Sequence, residues 1–145
     1  MLKLQHGSLV VTDLDKSKAF YGDYLGMEEI PRSPTFTFDG AWFLSEGTEI
    51  HMILDADTTA PAGLPPAGKG EQTGLATHFA FLVDNVYEMA ERAQNMNVPI
   101  VGGPMLRGDG ILQLYLHDPD RYLIELFQRV DSNEGATERA PIRNS

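Results

Sequence analysis

The feature that most constrains the fold of this chain is one pattern that occurs in both of its halves. In each half a β-rich segment leads into a capped helix, and short strands follow the helix. Four side chains that can bind a metal without a thiol occur at matching places: His6, His51, His78 and Glu125. The halves are offset by 72 residues from His6 to His78 and by 74 residues from His51 to Glu125. This repeat predicts a pair of similar modules with a metal between them.

Length and composition agree with one globular domain, or with two small modules that share a core. The chain has 145 residues, 42% of them hydrophobic, and no apolar run near the roughly 20 residues that span a bilayer. Without a signal-peptide pattern at its start, it is expected to be soluble and cytoplasmic. The net charge of −10 argues against nucleic-acid partners, and no membrane association is expected. Because there is no Cys, imidazole nitrogen and carboxylate oxygen would hold any metal.

Periodicity predicts the elements of the first module, residues 1–54. Thr12 or Asp13 is expected to cap a helix over Leu14–Tyr24, and Gly26 to end it. The predicted strands are Lys3–Val11, Met27–Ile30, Thr35–Phe38, Ala41–Leu44 and Glu49–Leu54.

Residues 55–74 are rich in Ala, Pro, Gly and Thr and are predicted to be a linker. The second module, residues 75–128, repeats the order of the first, with Asp84 as the expected helix cap. Its predicted strands are Thr77–Val83, Pro99–Val101, Ile111–Leu116 and Tyr122–Gln128. A break is predicted at Gly102-Gly103-Pro104, after the second of these strands. Residues 129–145 are polar and expected to be disordered.

The four repeated side chains favour a metal site when they are taken together. A strand histidine by itself is better explained as a core or surface residue bonded to a backbone carbonyl. Glu125 is the sharper anomaly, because it alternates with Ile124 and Leu126, and a buried carboxylate is unfavourable unless it is paired or binds a cation. Exposure on an edge strand is the alternative for Glu125. The occurrence of all four side chains at matching places in a duplicated pattern favours metal binding.

Three further residues are weaker candidates. Arg107 lies in a Gly-rich segment from which it could reach an anionic ligand, and Trp42 could wall a substrate pocket. A solvated Arg and an ordinary core aromatic are the alternatives. His117 precedes a turn and is expected to be structural or exposed.

Motifs at both ends of the repeat resemble the vicinal oxygen chelate superfamily of glyoxalases, bleomycin-resistance proteins and extradiol dioxygenases. They are His6-Gly7-Ser8-Leu9-Val10-Val11 at the start and His117-Asp118-Pro119-Asp120 with Ile124-Glu125-Leu126 at the end. The resemblance implies an α+β fold of two paired βαβββ modules, whose curled mixed sheets surround a central cavity with one divalent metal. It also implies that His6, His51, His78 and Glu125 occupy the four ligand positions of the glyoxalase I branch.

Three positions differ from glyoxalase I. His51 stands where that branch has a second carboxylate ligand, so Glu125 is the only acid of the set. Val10 stands in place of an Arg that contacts glutathione, and Arg121 in place of a Gly after the Asp-Pro-Asp turn. The use of glutathione therefore stays open.

The resemblance and the ligand count predict a metal-dependent glyoxalase-type lyase or isomerase that acts on a small substrate with vicinal oxygens. A fourth protein ligand leaves two positions open on an octahedral ion, whereas extradiol cleavage needs three. Glu125 is the expected proton carrier. The alternatives are a ligand-sequestering module similar to bleomycin-resistance proteins and a thiol transferase similar to fosfomycin-resistance enzymes. Zinc, nickel, cobalt, manganese and iron are not distinguished. A homodimer is expected, and the modules could pair within one chain or across the dimer.

Overall fold

A computed structural model describes residues 1–64 and 70–130. The chain divides into two compact units, residues 1–64 and 65–145. In both units the element order is βαβββ, and the strands form one open, curled, four-stranded mixed sheet. The predicted α+β class and the two repeated modules are thereby confirmed. Within the described ranges, no helix is long and apolar enough to cross a membrane.

The sheet of the first unit has one parallel and two antiparallel strand pairs. Its strands are β1 (His6–Val11), β2 (Glu28–Ile30), β3 (Gly40–Ser45) and β4 (Thr48–Leu54). They lie in the order β1-β4-β3-β2, with β1 parallel to β4. Alternate side chains of these strands form the buried face: Leu9, Val11, Ala41, Phe43, Ile50 and Met52. The residues between them, including His51, therefore point to the opposite face.

The helix of the first unit begins where its capping residue predicts. The Asp13 carboxylate accepts a hydrogen bond from the backbone N–H of Lys16 at 3.1 Å. The helix is α-helical over Leu14–Lys18 (α1) and continues as a π-helix over Ala19–Tyr24. It ends before Gly26, whose φ of +80° confirms the left-handed stop.

The second unit repeats this architecture with a more buried sheet. Its elements are β5 (His78–Leu82), α2 (Val86–Asn95), β6 (Ile100–Leu106), β7 (Ile111–His117) and β8 (Leu123–Arg129). The strand order is β5-β8-β7-β6, with β5 parallel to β8. Six consecutive residues of β7, 111–116, are buried, so this strand is covered on both faces. Strand β8 therefore pairs with a strand that is buried over most of its length.

Several local predictions are wrong. Residues 35–38 form no strand, because the chain turns at Pro34-Thr35, where the Phe36 N–H donates to the Ser33 carbonyl at 3.2 Å. The Arg32 guanidinium donates to the Phe38 carbonyl at 2.7 Å. Asn85, not Asp84, caps α2 by accepting from the Glu88 N–H at 3.1 Å. The expected break at Gly102-Gly103-Pro104 is spanned by β6, since an edge strand with register shifts accommodates a residue without an N–H.

The predicted linker contains two short 3₁₀ turns, Asp55–Asp57 and Glu71–Thr73. The first strand begins at His6 rather than Lys3, and the last extends to Arg129. Of the predicted disordered tail, residues 131–145 lie outside the described ranges, as do residues 65–69 of the linker.

Candidate metal centre

In the first unit, the predicted ligands His6 and His51 lie on the face of the sheet away from the core. Register places Ser8 of β1 and Trp42 of β3 on either side of His51 in β4. The small Ser8 leaves space for the His6 ring, which stacks on His51 with ring centroids 4.1 Å apart and an interplanar angle of 11°. The Trp42 ring stacks on His51 at 4.0 Å and 4°. The His51 imidazole is therefore held between two parallel rings.

Glu49 also reaches this face, although it was not predicted as a site residue. Its Oε2 lies 2.6 Å from His51 Nε2, and this bond holds the pKa of Glu49 below its usual value. Because an ionised carboxylate only accepts, His51 donates from Nε2, which leaves the lone pair of the neutral ring on Nδ1. The sequence signal was the spacing of two residues, which puts Glu49 and His51 on one face of a strand.

The second unit repeats this arrangement around Glu125. In β8, Glu125 pairs with Ala80 of β5 and with Tyr115 of β7. These positions match Ser8 and Trp42 around His51 in the first unit. The repeat that the sequence indicates therefore extends to strand register.

His78 and Glu125 form a close pair. Nε2 of His78 lies 3.1 Å from Oε2 of Glu125, and Nδ1 lies 2.6 Å from the carbonyl oxygen of Ala76. A carbonyl only accepts, so Nδ1 carries a proton and Nε2 faces the carboxylate. In a neutral ring that nitrogen has a lone pair, and two electron-rich atoms at this distance require a shared cation, either a proton or a metal ion. The geometry fits one half of a metal site.

Gln113 orients Glu125 from behind. Its Nε2 donates to Oε1 of Glu125 at 2.8 Å and to the Tyr115 hydroxyl at 2.9 Å, and all three residues are buried. Burial, followed by the nearby charge of Glu125, raises the pKa of Tyr115, so this hydroxyl stays protonated. One oxygen of Glu125 is thus occupied while the other faces His78. Gln113 was not predicted, and its only signal was a polar residue within an apolar strand.

The four predicted ligands occur as one pair in each unit. Among the residues that the structure describes, no group of three or more His, Asp or Glu side chains is arranged to hold a metal ion. Three imidazoles and one carboxylate can bind zinc, nickel, cobalt, manganese or iron, and this set of donors does not distinguish them. A metal lies in the plane of each imidazole that binds it, and the nearly parallel planes of His6 and His51 do not converge on one point. His51 would have to turn from Glu49 to share an ion with His6.

The weaker candidates lie in different surroundings. Trp42 adjoins His51, as a pocket wall requires. Arg107 is exposed in the β6–β7 loop, where its Nε and Nη2 donate to the Asp109 carboxylate at 2.9 and 2.7 Å. His117 is half-buried at the end of β7, with Nε2 3.2 Å from Glu71 Oε2. Arg107 is therefore already in an ion pair with Asp109.

One cleft in the first unit lies away from these ligands. It has a volume of about 340 Å³ and lies among Asp15 and Lys18 of α1 and Phe43 of β3. Because Phe43 alternates with Trp42, the cleft opens on the opposite face of the sheet from His51.

Comparison with known proteins places these features in a family context. A family model described as the Glyoxalase/Bleomycin resistance protein/Dioxygenase superfamily matches residues 3–126. Lactoylglutathione lyase of Salmonella typhimurium is 33% identical over 138 residues, which cover 92% of this chain and 98% of the relative. Glyoxylase I 4 of Arabidopsis thaliana is 28% identical over 127 residues, 87% of this chain and 70% of that protein.

Solved structures show the same fold. The fosfomycin resistance protein FosX of Listeria monocytogenes aligns with a TM-score of 0.65 and 26% identity over 90% of this chain and 96% of that one. A glyoxalase/dioxygenase of Nostoc punctiforme aligns with a TM-score of 0.70 and 25% identity, covering 89% and 92% of the two chains. The similarity extends over both units and includes proteins named for more than one activity.

Proposed function

Since the chain belongs to the glyoxalase/bleomycin resistance protein/dioxygenase superfamily, we propose that it is a metal-dependent glyoxalase-type lyase or isomerase that acts on a small substrate with vicinal oxygens. The approach of His78 Nε2 to Glu125 Oε2 at 3.1 Å is the main support, because an imidazole nitrogen and a carboxylate oxygen this close can bind one metal ion together. The relatives named lactoylglutathione lyase support the lyase class.

His6, His51, His78 and Glu125 would hold one divalent ion, with the two pairs supplied by one chain or by two copies of it. When bound, such an ion polarises the oxygens of the substrate as a Lewis acid. We assign proton transfer to Oε2 of Glu125, because Gln113 occupies Oε1 and the other three ligands carry no carboxylate. Trp42 would contact the substrate, and Arg107 could do so after leaving Asp109.

Metal content is the first test. The protein is chelated, reloaded with each first-row divalent ion and measured by elemental analysis. We expect one ion for each set of His6, His51, His78 and Glu125. Less than about a tenth of an equivalent with every ion would rule out the proposed centre.

Substrate preference is the second test. Val10 lies on the same strand face as His6, in a position where the glyoxalase I branch has a glutathione-binding Arg. We therefore expect weak turnover of the hemithioacetal of methylglyoxal and glutathione, compared with a smaller hydroxy-carbonyl or dicarbonyl. A kcat/KM of about 10⁴ M⁻¹s⁻¹ or above on the hemithioacetal would contradict this expectation.

A second candidate function is thiol transfer to an epoxide antibiotic. The bond between His51 and Glu49 supports it, because a three-ligand set of His6, His78 and Glu125 would remain if His51 stays turned away. Thiol-dependent loss of fosfomycin, abolished by Glu125→Gln, would favour this candidate. A ligand-sequestering module would bind its ligand stoichiometrically without turnover and without a metal.

A further inference from the structure

Residues 70–76, which we call the strap, precede β5 and lie against β6 and β7 in the second unit. The strap has one 3₁₀ turn between two left-handed glycines, Gly70 with φ +91° and Gly74 with φ +78°. The Leu75 N–H donates to the Gly70 carbonyl at 2.7 Å and closes the loop. It is therefore a compact segment with a defined shape.

The backbone of the strap packs directly on the sheet. A Cβ added to Gly74 would lie 2.2 Å from the Tyr115 hydroxyl oxygen. A Cβ added to Gly102 of β6 would lie 2.4 Å from the Gln72 carbonyl oxygen. Both distances are too short for a side chain, so glycine permits this close approach.

The strap reaches both predicted ligands of its unit. Its last carbonyl, that of Ala76, accepts from His78 Nδ1 at 2.6 Å and so determines that Nε2 faces Glu125. Tyr115, against which Gly74 packs, shares the Gln113 amide with Glu125. Movement of the strap would release the His78 ring from its present orientation.

Two side chains approach Glu71 at the other end of the strap, and Arg121 is the charged one. Glu71 is 18% exposed, with Oε2 3.2 Å from His117 Nε2 and Oε1 3.7 Å from Arg121 Nη2. Arg121 adopts φ +66°, a left-handed conformation that glycine adopts with less strain. The contact with Glu71 gives the Arg side chain a role at a position where Gly would suit the turn better.

We propose that Glu71 is a positioning residue that, through Arg121 and His117, keeps the strap on the sheet so that the Ala76 carbonyl orients His78 towards Glu125. The consequence for metal affinity rests on the proposed function, whereas the orientation of His78 does not. The two can therefore be tested separately.

The first experiment uses Glu71→Gln in the full chain with a chelator present. Glu91→Gln, on the exposed surface of α2, removes the same charge and is the matched control. Nitrogen-15 NMR of the His78 ring reports which nitrogen carries the proton, and amide exchange at Leu75 reports opening of the strap. We expect Glu71→Gln to exchange up to about fivefold faster at Leu75, the upper limit for an exposed ion pair, and to weaken the Nδ1–H signal of His78 in proportion to the open fraction of the strap. The control should match the wild type.

Arg121→Gly is the second variant, and it removes backbone strain while it removes the cation. If Arg121 serves only the turn, the strap will be unchanged or more stable; we expect it to open as in Glu71→Gln. A Nδ1–H signal of wild-type strength together with wild-type exchange at Leu75 in both variants would overturn the proposal. So would weaker metal binding with an unchanged His78 ring. If the wild type binds no metal and the two variants still show these NMR effects, the proposed function is contradicted and the positioning role is supported.

Discussion

Replacing Glu125 with Gln would separate the chemical role of this carboxylate from its structural role. Glu125 is buried, accepts from Gln113 at 2.8 Å and faces His78 Nε2 at 3.1 Å. A Gln side chain keeps an oxygen for Gln113 and presents an amide N–H to the lone pair of His78. Both contacts would persist in the metal-free variant as neutral hydrogen bonds.

The expected change in metal-free stability is small because two effects oppose each other. Exchanging two charge-assisted hydrogen bonds for neutral ones costs about 2–3 kcal/mol in total. Removing a buried ionised carboxylate recovers desolvation free energy of several kcal/mol. We expect the free energy of unfolding of Glu125→Gln, measured in urea with EDTA, to lie within about 1 kcal/mol of the wild type.

Added metal should stabilise the wild type more than Glu125→Gln. At a free ion concentration of 100 times Kd, binding stabilises the wild type by about 2.7 kcal/mol, and a hundredfold weaker variant gains about 0.4 kcal/mol at that concentration. On fully loaded samples, kcat of Glu125→Gln should fall by about 10²- to 10⁴-fold through loss of the proton carrier. An equal stabilisation of variant and wild type by metal would show that Glu125 is not a ligand. A loss above about 3 kcal/mol in EDTA would show that its role is structural.

The remaining predictions use the same measurements. Fully loaded His51→Gln should keep a kcat near that of the wild type, since it loses no base; a dead loaded enzyme would place the base at His51 rather than Glu125. Burial, with Arg121 adding to it and Glu71 opposing it, lowers the pKa of His117 from its usual 6.5, so the unfolded chain binds a proton that the folded chain does not. The free energy of unfolding of the wild type should therefore fall as the pH drops below about 6.5. Between about pH 7.5 and about pH 5.5, His117→Gln should lose less of this free energy, measured in urea, and equal losses in the two proteins would contradict the prediction. Gly74→Ala should destabilise the protein by about 1–3 kcal/mol more than Gly26→Ala, because both glycines have a left-handed φ but only an added Cβ at position 74 meets another atom.

Local patterns were enough to predict the order of elements, apart from the extra strand at residues 35–38. Helix capping depends on neighbouring residues, and strand alternation has a period of two, so the start of α1 after Asp13 and the outward direction of His51 follow from short segments. The prediction of a strand at residues 35–38 was wrong because the chain turns at Pro34-Thr35, where the Phe36 N–H donates to the Ser33 carbonyl. The prediction of a break at Pro104 was wrong because β6 is an edge strand, and its position in the sheet is known only from the assembled fold.

Tertiary structure decided which groups complete each pair. Gln113 meets Glu125 because β7 pairs with β8 in one register, and sequence alone does not determine that register. The proton on His78 Nδ1 depends on the Ala76 carbonyl, the last carbonyl of the strap. Residue types and their spacing thus identified the four candidate ligands. Their tautomers and hydrogen-bond partners depended on long-range contacts, because hydrogen bonds form only between atoms that the folded chain brings within about 3 Å.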